Sequence, residues 1–99
     1  MLNQLVLVGR LKEMEIIESE EGKKYNIVIA VPRSFKNAEG EYETDFIPIK
    51  LFGSIAENTF EYCKKGDLVG IKGRVEANNN GINIIAEKIT FLSSKKEEQ

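Results

Sequence analysis

An all-β fold, a five-stranded Greek-key barrel with one helix between the third and fourth strands, is what the sequence predicts, on three observations. Five segments rich in β-branched and aliphatic residues have strand length and strand patterning. Turns bearing glycine and asparagine separate several of them. One stretch, beginning after Gly53, abandons the two-residue period for helical spacing.

The first strand spans Leu2 to Lys12, apolar on both phases, and Met14 to Ser19 continues it after a bend. Glu20-Glu21-Gly22-Lys23 turns the chain into a second strand, Lys24 to Val31, which Pro32 should end because proline offers a ladder no N–H. Ser34 to Tyr42 reads as a long hairpin loop, and the third strand opens at about Glu43. Ser54 with Glu57 is a capping-box pattern, in which each side chain satisfies an orphan amide at a helix start. Ile55, Ala56, Thr59, Phe60 and Cys63 then share one face, which puts Phe60 and Cys63 in the core. Lys64-Lys65 suits the negative end of the helix dipole, and Gly66 supplies a left-handed stop. Leu68 to Ala77 is the fourth strand, Asn78-Asn79-Asn80-Gly81 a tight turn of the Asn-Gly kind, and Ile82 to Leu92 the fifth. This order of elements is that of the OB-fold, whose strand faces and loops bind oligonucleotides or oligosaccharides. The domain is expected over residues 1–92, with 93–99 a short polar tail.

The third strand carries the chain's best functional clue. Successive side chains of a strand point to opposite faces, so Ile47, Ile49 and Leu51 form one row and Phe46, Pro48, Lys50 and Phe52 the other. The aliphatic row belongs to the core. Two rings flanking a lysine are left on the outer face, the combination single-stranded nucleic acid requires: flat surfaces for bases and positive charge for the backbone. Tyr25 and Tyr42 are read as packing or hydrogen-bonded edge positions, Tyr62 as a packing residue at the helix end, and Lys36 as a mobile loop charge.

Bulk properties exclude other classes. At 99 residues, 41% hydrophobic and 30% charged, the chain has the make-up of one small globular domain rather than of a disordered or membrane protein. It contains no apolar run of roughly 20 residues to span a membrane and opens without the basic region of a secretory signal, so a cytoplasmic location is expected. One cysteine and no histidine remove the disulfide, the Cys/His metal site and the commonest catalytic base; no enzyme and no cofactor are expected. Gly70-Ile71-Lys72-Gly73 lies within a β-branched run and reads as strand glycines, not as a phosphate loop. The formal net charge of −2 argues against a binder that relies on bulk positive potential, so any cations that contact a backbone must be localised. Candidates are Arg10, Arg33, Lys50, Lys72 and Arg74, with Lys72 and Arg74 on one phase of the fourth strand. The first strand, with Leu5, Leu7 and Leu11 on one phase and Leu2, Val6 and Val8 on the other, is more apolar than a small barrel needs, which suggests a contact between subunits.

Several pieces of wording, in this order and spacing, resemble the bacterial single-stranded DNA-binding protein family over residues 1–92. They are Asn3 with Leu5-Val6-Leu7-Val8-Gly9-Arg10-Leu11, Asp45-Phe46 through Leu51-Phe52-Gly53, Ala56-Glu57-Asn58, Lys64-Lys65-Gly66-Asp67-Leu68-Val69 and Gly73-Arg74-Val75. The resemblance implies a homotetramer, with a homodimer as the fallback, that protects single-stranded DNA in replication, recombination and repair. It also implies base stacking on Phe35, Phe46 and Phe52, the first of which only the resemblance supplies.

Two departures from that family are visible. The family's further aromatic after the fourth strand would fall in Ala77-Asn78-Asn79-Asn80, which has no ring, and Glu76 and Ala77 stand where basic residues are usual. The sequence closes on Lys95-Lys96-Glu97-Glu98-Gln99 rather than on a long linker with an acidic, hydrophobic-ended tip, so recruitment of other replication proteins through such a tip is not expected. Two alternatives stay open: a primosome accessory or protein-interaction module with weak nucleic-acid binding, and binding of RNA or oligosaccharide on the same surface.

Overall fold

The computed structural model describes residues 1–94, so the tail expected over 93–99 lies, from residue 95 on, outside the described residues. The elements are β1 (Leu5–Ser19), β2 (Gly22–Lys36), β3 (Tyr42–Leu51), α1 (Gly53–Tyr62), β4 (Leu68–Asn78) and β5 (Gly81–Ser93). They close into a barrel in the order β1-β2-β3-β5-β4, with β4 returning to β1. This is the expected OB-fold. No helix among the described residues is long and apolar enough to cross a membrane.

β1 serves two neighbours. Its first half, Leu5 to Arg10, pairs with β4, and from Arg10 onward it pairs with β2, with a register shift between Leu11 and Glu13. An irregularity of this kind bends a strand and lets one element turn a barrel corner, and it accounts for the bend read after Lys12. The helix exit docks at the same corner, where Gly66 N–H donates to the Leu11 carbonyl at 2.8 Å and Leu11 N–H to that of Asp67 at 2.9 Å.

β3 and β5 meet in one parallel pair, Lys50 opposite Ile85. Strand alternation fills the interior as read from the sequence: Ile27, Ile29, Ile49, Leu51, Val69 and Ile71 are fully buried, and α1 adds Ala56 and Cys63. Phe60 packs at the edge of this cluster, its ring 5.2 Å from that of Tyr25 in an edge-on arrangement. Burial raises the Cys63 thiol pKa, with a smaller contribution from Asp67, so the thiol stays protonated and packs as a small hydrophobe.

Several local readings are corrected. Pro32 does not end β2, which runs to Lys36; the ladder absorbs the proline opposite Thr44 and breaks register only after it, between Pro32 and Lys36. The hairpin loop is correspondingly shorter, and Lys36 stands over the Tyr42 ring at 5.7 Å rather than free in a loop. The capping box does not form: the helix starts at Gly53, so Phe52 is the N-cap and no side-chain cap bond is made. Gly53, at φ +62°, permits this abrupt strand-to-helix switch. At the other end Cys63 is the C-cap and Gly66, at φ +96°, lies beyond it in the turn to β4; Tyr62 is 71% exposed, not packed. In the last hairpin Asn78 pairs with Gly81, so Asn79 and Asn80 are the central residues and the positive φ falls on Gly81 after them.

Candidate nucleic-acid interface

Register fixes the outer face of the β1–β2–β3 sheet residue by residue. Arg10 lies opposite Ala30, and Ala30 opposite Phe46; Glu13, Val28 and Pro48 form the next row; Glu15, Asn26 and Lys50 the third. Adjacent strands are spaced about 4.8 Å apart, so the Arg10 and Phe46 backbones are separated by roughly 10 Å. Phe46 is 58% exposed and Phe52 57%. Six residues of extended chain put the two rings about 20 Å apart, too far to clamp one base between them. They are two separate platforms.

Arg10 is steadied by a 3.1 Å hydrogen bond from Nη1 to the Gly66 carbonyl, which leaves its charge unneutralised. Lys50 forms no salt bridge among the described residues. Glu13, in the row between them, is paired with Lys65 at 3.4 Å. Beside this face, where β5 begins, lies a groove of about 470 Å³ lined by apolar residues such as Val28, Pro48 and Ile82, by Asn83 and Lys50, and by the carboxylates Glu13 and Glu15. A strand stacked on Phe46 and Phe52 would carry its intervening nucleotides past Pro48 and Lys50 into this groove. Ile82 and Asn83 were not among the sequence candidates. Their placement depends on which strand closes the barrel against β3, and no local pattern carries that information.

The other candidates lie elsewhere. Phe35 sits near the end of β2, within the register irregularity between Pro32 and Lys36, and is 68% exposed on the hairpin arm. Arg33 bonds Asp45, the neighbour of Phe46, and therefore faces the opposite side of the β2–β3 ribbon from that ring. Its Nε and Nη2 fork onto the Asp45 carboxylate at 3.1 and 2.9 Å, and Nη1 reaches Glu43 at 3.2 Å. The hydrogen bond from Arg33 lowers the Asp45 pKa below the usual carboxylate range, and the same bond raises that of Arg33. Lys72 lies on the outer face of β4, between Val6 of β1 and Lys88 of β5. Arg74, on the same phase, is held by Glu76 at 2.7 Å and Glu87 at 3.2 Å, hydrogen bonds that raise its pKa. Phe46, Phe52, Lys50 and Arg10 are thus brought together; Phe35, Arg33, Lys72 and Arg74 are not.

Comparison with known proteins gives this geometry a context. The profile of the Single-strand binding protein family matches residues 2–92. The chain belongs to that family. Single-stranded DNA-binding protein B of Bacillus subtilis (strain 168) is 39% identical over 110 aligned positions, which cover 100% of this chain and 97% of that family member. Single-stranded DNA-binding protein 1 of Clostridium acetobutylicum is 38% identical, with 97% of this chain and 98% of that one covered. Among solved structures, the small single-stranded DNA-binding protein from Streptomyces coelicolor superposes with a TM-score of 0.71 at 18% identity, over 93% of this chain and 95% of that one. At that identity the likeness speaks for the family's shared fold.

Proposed function

We propose that this family member binds and protects single-stranded DNA without sequence preference, as a non-enzymatic domain over residues 1–92. The observation that carries the reading is the outward row Phe46-Pro48-Lys50-Phe52, two exposed rings with a lysine free of salt bridges among the described residues between them, beside a groove of mixed polar and apolar lining. Stacking contributes on the order of 1–3 kcal/mol per base and needs no particular base, so a few platforms support useful affinity despite a net charge of −2. Arg10 and Lys72 offer further phosphate contacts, Phe35 a third ring on the hairpin arm, and Arg33 and Arg74 join once their carboxylate partners give way. A place in replication, recombination and repair, in the cytoplasm, accords with family membership.

A homotetramer, or failing that a homodimer, is the assembly this reading favours. Val6, Val8 and Leu92 lie exposed on the outer face of β1, β4 and β5, where a second copy would cover them. With only a two-residue turn between β4 and β5, site size and affinity should fall below those of family members with a longer, basic hairpin there.

Competition against labelled oligo-dT tests the proposal. Unlabelled single-stranded DNA should displace the probe at lower concentration than single-stranded RNA or oligosaccharide, with duplex DNA weakest of all. A preference for duplex or RNA would contradict the reading.

A further inference from the structure

We propose that Glu43 and Asp45 restrain DNA binding by holding Arg33 in a carboxylate clamp, which a phosphate must displace before Arg33 contributes. The inference rests on the single-stranded DNA reading and deepens it.

The clamp uses all three guanidinium nitrogens. Nε and Nη2 take the two oxygens of Asp45, a paired geometry that is among the strongest available to arginine, and Nη1 takes Glu43. Glu43 is itself positioned: Asn37 Nδ2 donates to its other oxygen at 3.2 Å, while Asn37 Oδ1 accepts the N–H groups of Glu39 and Glu41 at 2.9 Å each. The hairpin loop is therefore built around the residue that aims Glu43. One cation against two carboxylates leaves the cluster with a charge of −1, two residues from Phe35 and on the opposite face of the ribbon from the Phe46 ring. DNA that crosses from the Phe46 face over the hairpin arm to Phe35 meets a net negative group where a free Arg33 would have attracted it. Because these side chains are about half exposed, the clamp is open to exchange. Arg74 repeats the arrangement with Glu76 and Glu87.

Neutralising the clamp should tighten binding. Glu43→Gln with Asp45→Asn is expected to bind oligo-dT roughly three- to tenfold more tightly at low salt, with a salt slope steeper by about 0.7, the value of one added phosphate contact on a single strand. Glu39→Gln with Glu41→Gln makes the same charge change on the same hairpin, with side chains that form no ion pair among the described residues. This control should gain less than twofold and keep the parent slope. Adding Arg33→Gln to the clamp variant should abolish its gain, and Glu43→Gln alone should give a smaller gain with one fork intact. Thermal melting of each variant checks that the hairpin is folded. If the parent binds oligo-dT and the clamp variant binds no more tightly than the control pair, the clamp is overturned while the DNA reading stands. If the parent does not bind at all, it is the reading that fails.

Discussion

Phe46→Ala combined with Phe52→Ala should weaken binding to oligo-dT by about 2–6 kcal/mol, a loss of thirty-fold or more, and leave thermal stability almost unchanged. Both rings are more than half exposed and neither belongs to the core cluster, so their removal opens no cavity. Each stands on its own platform, so the two losses should nearly add. Anisotropy titration of the double variant, with a melting curve alongside, measures both quantities. An unchanged affinity would favour a module that acts by docking to other proteins.

Ile49→Ala, one residue from Lys50, should do the reverse. Ile49 is 0% exposed and lies in register with the equally buried Ile27, at the middle of the barrel wall. Truncating a buried isoleucine costs about 2–5 kcal/mol through lost transfer energy and the cavity left behind. For a domain of this size the melting temperature should fall by at least ~10 °C. Below that temperature, oligo-dT affinity should stay within a few fold of the parent, because the outward row is untouched. Denaturant midpoints and a titration at low temperature separate the two effects. Neighbouring positions of one strand thus divide into stability and binding by parity alone.

That parity explains why so much was legible in the sequence. Alternation is a local property, and β3 announced its buried and outward rows before any neighbour was known; the helical face of α1, from Ile55 to Cys63, was readable in the same way. Helix ends were less so. Ser54 and Glu57 have the right spacing, but the helix begins at Gly53 with Phe52 as its N-cap, two residues before the position a Ser54 cap requires. Pro32 misled because the strand accommodates it without a break at that position. The engagement of Arg33 and Arg74 was hidden for a different reason. Asp45 and Glu87 come beside them only through cross-strand register, and two cations that looked available are held by carboxylates. The groove depends on the β3–β5 pairing of Lys50 with Ile85, a parallel bridge between strands separated in the chain by α1 and β4.

The central claim is that bases stack on Phe46 and Phe52, and the absence of tryptophan from the chain makes it directly measurable. Phe46→Trp and Phe52→Trp each introduce one indole as the sole tryptophan signal. Titrated with oligo-dT, both should lose much of their emission in step with the anisotropy change, as stacked bases quench the indole. Binding reported by anisotropy with emission unchanged at both positions would contradict the account.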